Sequence, residues 1–296
     1  MAADVVTLRA GGLQARFVPS VGMVGASLFA GGHELLGQLG GLDAYASRGS
    51  SFGIPLLHPW ANRLGGFTYS AAGEDVVIDA AAPGVRTEQH GLPIHGLLAA
   101  HPGWAVRDAG ERTLSAELAY DTPALLTAFP FPHVLRMDVR LDPEQLTIAT
   151  TLTPTTDRPV PVSFGFHPYL ALPGVAREDV VLRHGPMTHL ALDERGLPTG
   201  AREAVDARDA PLGDAVLDDL YTDLGDRPEV VMASGDRELA VRLLEGYTHL
   251  QLFTPPAQPS LAIEPMTAAT DALRSGDGLR LATAPFTATF AILVHT

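Results

Sequence analysis

The sequence predicts an all-β protein, folded as a large antiparallel β-sandwich. Short apolar runs separated by Gly, Pro, Asn or Asp recur along the 296 residues. Several of these runs alternate between apolar and polar residues, and helical periodicity with capping residues is scarce. Strands without interleaved helices favour antiparallel pairing in a sandwich. No break in composition marks a linker, so we predict a single domain spanning residues 1–296.

The strand predictions begin with two hairpins, each made of two apolar runs that flank a Gly-Gly pair, at residues 5–18 and 24–36. Further runs of the same kind lie at residues 76–78, 104–107, 113–119, 134–141, 145–152, 180–182, 229–232, 239–243, 248–253 and 287–294. The region 185–226 is rich in Gly, Pro and Asp, and we predict a long excursion between strands there. Excursions of this kind often carry ligand contacts.

Residues 160–170 predict an apolar strand that presents one titratable side chain. A period of two places the large apolar residues on one face and His167 on the other, beside Ser163 and Gly165. Pro168 holds the histidine in an extended conformation and ends the strand because it lacks an N–H. His167 therefore has room beside it for a ligand. The alternative is a half-buried histidine that hydrogen-bonds only the backbone.

A second strand, at residues 260–267, has the same design. Leu261 and Ile263 share one face, while Glu264 lies on the other face just before Pro265. A carboxylate left uncompensated in an apolar strand costs several kcal/mol, so we expect Glu264 to reach solvent, a donor or a ligand. A histidine and a glutamate at strand ends can serve as general acid and general base.

Two loop-like segments add polar residues that a ligand could contact. Asn62 and Arg63 lie in one of them, and the planar guanidinium of an arginine suits sugar hydroxyls or a phosphate. The alternative for Arg63 is a surface cation. In the other segment His95 precedes Gly96, and a glycine lets backbone or ligand approach closely. A structural histidine explains His95 equally well.

Two further segments offer an acid and an amide. Asp218 and Asp219 are adjacent, and either could face a ligand or cap a turn. In residues 248–253, alternation places Gln251 and Phe253 on the face opposite the core. A polar contact beside an apolar platform is typical of a sugar site.

The composition limits the possible partners. The chain has 20 Lys and Arg against 34 Asp and Glu, a formal net charge of −14, which argues against nucleic acid or an anionic membrane as a partner. Without cysteine, and without a histidine-rich metal motif, the sequence implies no metal site. It has no signal peptide pattern and no long apolar run, so we expect a cytoplasmic protein. The sequence does not predict the oligomeric state.

Taken together, these segments resemble the aldose 1-epimerase (galactose mutarotase) family. The matching motifs are Asn62-Arg63-Leu64 with Gly66-Phe67, His95-Gly96 followed by Trp104, His167-Pro168-Tyr169, Asp218 with Tyr221, Gln251-Leu252-Phe253-Thr254, and Glu264-Pro265-Met266-Thr267 with Asp271-Ala272. Each motif is short, but all six follow the family's order across most of the chain. The resemblance implies a β-supersandwich with the active site in an open cleft on one large sheet.

The resemblance also implies an activity, namely interconversion of the α and β anomers of a free aldohexose. Glu264 would be the general base that takes the proton of the anomeric hydroxyl. His167 would be the general acid that protonates the ring oxygen, with His95 assisting. Opening of the hemiacetal, rotation about C1–C2 and reclosure would then give the other anomer, and no cofactor or metal is implied.

The substrate-binding residues implied by the resemblance are Arg63, Asp218 and Gln251, with Asn62 beside Arg63 in its motif. Three other functions are considered. A hexose-6-phosphate epimerase would need a basic pocket, and no basic cluster beyond Arg63 is evident. A non-catalytic sugar-binding protein would need neither His167 nor Glu264. A glycosidase would use two carboxylates and leave the histidine without a role.

Overall fold

The structure, a computed structural model, describes residues 4–226, 228–255 and 260–295. β-Strands dominate these ranges. In chain order they are β1 (Val6–Ala10), β2 (Leu13–Val18), β3 (Val24–Ala30), β4 (His33–Glu34), β5 (Leu56–Leu57), β6 (Thr68–Ala71), β7 (Glu74–Val77), β8 (Ala105–Ala109), β9 (Thr113–Tyr120), β10 (His133–Asp142), β11 (Gln145–Pro154), β12 (Val160–Val162), β13 (Gly165–Phe166), β14 (Tyr169–Ala171), β15 (Val181–His184), β16 (Met187–Leu192), β17 (Pro198–Val205), β18 (Arg208–Pro211), β19 (Asp218–Thr222), β20 (Glu229–Ser234), β21 (Arg237–Glu245), β22 (His249–Phe253), β23 (Ser260–Met266), β24 (Arg280–Ala282) and β25 (Phe286–His295).

Helices are few and short in the described ranges. They are α1 (Gly41–Arg48), α2 (Pro123–Ala128), α3 (Ala272–Ser275) and a 3₁₀ turn (Arg177–Asp179). None of these described helices has the length and apolar character that crossing a membrane requires.

Two large antiparallel sheets form most of the molecule. One has the strand order β18-β15-β20-β21-β25-β11-β10-β9-β8. The other has the order β17-β16-β19-β22-β23-β13-β5, and β14 also pairs with β23. A four-stranded sheet, β1-β2-β3-β4, and the small pairs β6-β7 and β12-β24 complete the described strands. The predicted all-β antiparallel class is confirmed, and both predicted hairpins form.

Strand alternation determines where the core lies. In β10, Leu135 and Met137 are fully buried while Arg136 between them is exposed. From the other large sheet, Leu252 and Ile263 belong to the same hydrophobic cluster. Their neighbours along β22 and β23 must point to the opposite face of the sheet, because successive side chains in a strand alternate. The single domain over residues 1–296 stays a prediction.

Residues 160–170 do not form the single strand, ended by Pro168, that their sequence predicts. They form β12, which pairs with β24, and β13 and β14, which both pair with β23. Pro168 lacks the N–H that a continuous ladder would need at this point, and the chain changes partner at Ser163, which bridges to Trp60. The predicted orientation of His167, away from the apolar side, is retained.

The prediction for the region 185–226 was wrong. Four strands, β16 to β19, occupy most of it: β17, β16 and β19 form one end of the second large sheet, and β18 is an edge strand of the first. The outermost strand, β17, is exposed along nearly its whole length, so it lacks the apolar alternation that marks a strand in sequence. Four of the region's five glycines lie between strands, at positions 185, 196, 213 and 225, and Gly200 lies within β17, so they do not mark one long loop.

Candidate active site

A cavity of about 180 Å³ opens on the face of the second large sheet that points away from the core. Its lining combines acidic, basic and apolar groups. The lining residues are Ser51, Asn62, Arg63, Ile94, His95, His167, Tyr169, Asp218, Phe253 and Glu264. Six of the seven residues predicted from the sequence are therefore in the lining. The seventh, Gln251, is fully buried and donates from Nε2 to Asp218 Oδ1 at 2.6 Å.

Strand register brings His167 and Glu264 together. Gly165 pairs with Met266, and Tyr169 pairs with Ala262. His167 and Glu264 lie midway between these two pairs on facing strands, so they are opposite each other across the ladder. His167 Nε2 lies 3.1 Å from Glu264 Oε1. Both residues are buried, with 5% and 1% of their surface exposed.

Aromatic neighbours fix the imidazole of His167. The ring of Tyr169 stacks on it with centroids 4.2 Å apart and an interplanar angle of 20°. The Tyr169 hydroxyl is 3.2 Å from Nε2, the same atom that faces Glu264. Phe253 and His95 approach the ring edge-on, at 5.9 and 5.5 Å. The imidazole thus has little freedom to rotate away from the carboxyl group.

Burial shifts both members of the pair toward their neutral forms. It raises the pKa of Glu264 well above the ordinary value, with a further increase from Asp218 that Arg63 opposes. Burial also lowers the pKa of His167 well below its ordinary value, and His95 lowers it further. The two groups therefore share one proton over a wide pH range. An acid and a base are held in contact.

His95 is presented by a strained local backbone. Its φ is +62°, in the left-handed region that non-glycine residues seldom adopt. The backbone N–H of His95 donates to the carbonyl of Asn62 at 2.9 Å, and Ile94 bridges to Arg63. Burial, Arg63 and Arg86 together lower the pKa of His95 to about 3, so its imidazole is neutral at physiological pH.

Arg63 is the centre of a hydrogen-bonded network. Its Nη1 donates to Asn62 Oδ1 at 3.1 Å, and its Nη2 donates to Asp218 Oδ2 at 3.3 Å. Its Nε faces Glu88 Oε2 at 3.7 Å, an ion pair too long for a hydrogen bond. Asp218 in turn accepts from Gln251, so the predicted binding residues form one connected group.

Several polar atoms in this region have no hydrogen-bond partner among the described residues. They are Glu264 Oε2, His167 Nδ1, His95 Nδ1 and Gln251 Oε1. Buried polar atoms are usually hydrogen-bonded. The first three of these atoms belong to residues that line the cavity. No group of three or more His, Cys, Asp or Glu that could hold a metal occurs in the part of the chain that the structure describes.

The sequence comparisons give the family. The family model described as aldose 1-epimerase matches residues 4–283. The chain belongs to the aldose 1-epimerase family. No significant match is found among curated protein sequences.

Solved structures of this family have the same architecture. A galactose mutarotase-like protein from Clostridium acetobutylicum is 15% identical with a TM-score of 0.86, and the match covers 99% of this chain and 96% of that one. An aldose epimerase homologue from C. elegans is 17% identical with a TM-score of 0.80, covering 100% of both chains. A galactose 1-epimerase from Lactobacillus acidophilus NCFM is 18% identical with a TM-score of 0.78, covering 98% and 93%. At these identities the similarity establishes a galactose mutarotase-like fold.

Four residues in the cavity lining or beside it are assigned no role from the sequence. They are Ser51, Ile94, Tyr169 and Glu88, of which the first three line the cavity and the last pairs with Arg63. Tyr169 could have been found, because it lies two positions from His167 and a strand period of two puts both on one face. The other three lie in irregular segments, where sequence periodicity gives no side-chain direction.

Proposed function

We propose that the protein interconverts the α and β anomers of a free aldohexose by acid–base opening of the sugar ring. The observation that carries this proposal is the 3.1 Å contact between His167 Nε2 and Glu264 Oε1 at the wall of an open cavity. Hemiacetal opening needs one group to remove a proton and another to supply one, and this pair has that composition. Membership of the aldose 1-epimerase family supports the same reaction.

In the proposed reaction the shared proton moves from Glu264 to His167, which prepares the base and the acid in one step. Glu264 then takes the proton of the anomeric hydroxyl, and His167 protonates the ring oxygen with the neutral His95 imidazole beside it. The C1–C2 bond rotates in the open-chain aldehyde. Reclosure with the two roles reversed gives the other anomer and leaves Glu264 ionised and His167 protonated. Return of this proton from His167 to Glu264 restores the starting proton distribution.

The charges around the cavity support a neutral sugar as substrate. Arg63 is the cation in the lining, and it already faces two carboxylates, Asp218 and Glu88. A phosphate placed there would be repelled by both carboxylates that face Arg63, Asp218 and Glu88. The carboxylate of Asp218, which Gln251 holds by a hydrogen bond, suits sugar hydroxyls, and Phe253 offers an apolar contact for the ring.

Polarimetry of freshly dissolved α-D-glucose and α-D-galactose tests the proposal. Replacing one partner of the pair, in His167→Ala or Glu264→Ala, is expected to lower the catalysed rate on the order of 10²–10⁴-fold. His189→Ala is a matched control, because His189 also faces a carboxylate, Asp219 at 3.4 Å, but is not in the cavity lining. This control should keep the wild-type rate. Rates near wild type in both cavity variants would contradict the assigned roles.

Two further measurements separate the alternatives. If glucose 6-phosphate is epimerised faster than glucose, the phosphorylated sugar is the better substrate. If sugar binds in calorimetry but the wild-type protein does not accelerate mutarotation of any monosaccharide tested, the protein is a binding protein on this scaffold. Either result would replace the proposed function.

A further inference from the structure

We propose that the turn at residues 193–197 positions the guanidinium of Arg63 for the sugar, and that Gly196 is the positioning residue. This turn joins β16 to β17 at the edge of the second large sheet. The inference rests on the proposed function, because it concerns how the same cavity holds its substrate. Nothing in the sequence motifs links this turn to the cavity.

The contact between Gly196 and Arg63 is close enough that a side chain at position 196 would displace the guanidinium. A Cβ built on Gly196 would lie 2.6 Å from Nη1, 2.9 Å from Cζ and 3.2 Å from Nε of Arg63. Three atoms of the guanidinium are thus against the glycine backbone. Gly196 also has a φ of +73°, so glycine suits this position for two separate reasons.

The turn itself is rigid. Asp193 Oδ1 accepts from the backbone N–H groups of Arg195 and Leu197, at 2.9 and 3.0 Å. The backbone N–H of Gly196 donates to the carbonyl of Asp193 at 2.9 Å. Leu197 is buried, and its Cδ1 lies 3.3 Å from the point where a Cβ on Gly65 would be. The turn therefore packs on the same loop that carries Arg63, at two adjacent places.

Other residues enclose the remaining sides of the guanidinium. Asn62 and Asp218 accept hydrogen bonds from its two terminal nitrogens, and Glu88 faces Nε. Only 13% of the Arg63 side chain is exposed. A methyl group at position 196 would therefore push the guanidinium off its partners and toward the cavity, where the sugar hydroxyls would bind.

The chain offers a matched control for backbone strain. Gly200, in β17, has a φ of +88°, and a Cβ there would meet nothing within 4 Å. Gly196→Ala and Gly200→Ala both place alanine at a positive φ, but only the first adds an atom against Arg63. Crystal structures of the two variants test the positioning directly, without reference to activity. The guanidinium should shift in Gly196→Ala and stay in place in Gly200→Ala, and an unmoved guanidinium in Gly196→Ala would overturn the inference.

Kinetics test the consequence for the sugar. Gly196→Ala should raise KM on the order of tenfold or more, with a smaller change in kcat, because misplacing a binding group by about an ångström weakens orientation. Gly200→Ala should leave both constants near wild type. In an Arg63→Ala background, Gly196→Ala should have no additional effect, since it acts through Arg63.

The outcomes distinguish the two proposals. If the wild type epimerises sugars, Arg63→Ala is impaired, and Gly196→Ala behaves like Gly200→Ala, the positioning inference is wrong and the proposed function stands. An additional loss from Gly196→Ala in the Arg63→Ala background also overturns the inference, because the glycine would then act by another route. If the wild type epimerises no sugar, the proposed function fails, and the crystal structures still decide the placement of Arg63.

Discussion

Single residues carry the proposed chemistry, and Glu264 does so at a cost to the fold. Its carboxyl group is buried, and burial raises its pKa well above the ordinary value near 4.5. The unfolded chain releases this proton near pH 4.5, while the folded protein retains it. The contribution of protonated Glu264 to the free energy of unfolding is therefore complete below pH 4.5 and is lost as the pH rises above it. Function and stability make opposite demands on this position.

Glu264→Gln is expected to inactivate the protein and stabilise it. The amide cannot ionise and keeps a polar atom near His167, so the free-energy cost of holding a proton on a buried carboxyl group at pH 8 disappears. We expect the free energy of unfolding at pH 8 to increase by about 1–3 kcal/mol. The increase should shrink as the pH is lowered toward 4.5. Urea unfolding followed by tryptophan fluorescence measures this, and equal stability of variant and wild type at pH 8 would contradict the pKa direction.

The choice of His167 and Glu264 could be predicted from the sequence, but their contact could not. Alternation and a following proline mark both residues as polar groups that turn away from an apolar face. Their meeting depends on the register between β13, β14 and β23, which distant strand pairing sets. In the same way, the contact of Gly196 with Arg63 joins a turn and a loop that are far apart in sequence. No local pattern encodes such contacts.

At the scale of elements, tight turns hold the cavity residues in place. Gly96, next to His95, has a φ of +67°, and a Cβ there would lie 2.1 Å from the carbonyl oxygen of His58. That oxygen also accepts from the backbone N–H groups of Leu97 and Leu98. The obstacle is backbone and not a flexible side chain, so it cannot move aside without breaking these bonds.

Gly96→Ala should therefore destabilise the fold strongly. We expect a loss on the order of 3 kcal/mol or more in the free energy of unfolding, from backbone strain together with a clash in a packed region. Gly91→Ala is the matched control, since Gly91 has a φ of +73° and open space around it. It should cost about 1 kcal/mol. Similar losses for the two variants in urea unfolding would show that strain alone, and not the close approach to His58, determines the cost.

Elements also show where sequence patterns fail. The long strands β10 and β11 follow clear alternation, and the sequence predicts both of them, as well as β25, with bounds close to those observed. The edge strand β17 has little buried surface, so nothing in its sequence separates it from a loop. The turn that contacts Arg63 lies beside this strand, in the region where the strands were missed.

At the scale of the whole molecule, the core contains ionisable groups that the proposed reaction does not use. His58 and His133 are 1% and 0% exposed, and their Nε2 atoms are 2.9 Å apart. His133 Nδ1 lies 2.6 Å from the carbonyl of Phe131, so Nδ1 carries the proton and donates it. His133 Nε2 is then the acceptor for His58 Nε2–H. Both rings are neutral in this arrangement, and adding a proton would create a buried charge.

This pair predicts a fold that loses stability in mild acid. Burial lowers the pKa of His133 to about 4, and burial together with His133 lowers the pKa of His58 well below 6.5. The unfolded chain binds these protons near pH 6.5, so the stability that the neutral rings contribute is complete above pH 6.5 and is lost as the pH falls toward 4. Each proton that the unfolded chain binds and the folded protein does not lowers the free energy of unfolding by about 1.4 kcal/mol per pH unit.

His58→Leu removes one of the two histidines that take up a proton when the protein unfolds in acid. The variant is expected to be less stable than wild type at pH 7.5, because Leu cannot donate to His133. Its stability should nevertheless decline less steeply between pH 6.5 and 4.5, by up to about 1.4 kcal/mol per pH unit. His90→Gln, at an exposed position, should keep the wild-type slope. Urea unfolding at a series of pH values gives the slopes, and identical slopes for wild type and His58→Leu would mean that this buried ring does not govern acid stability.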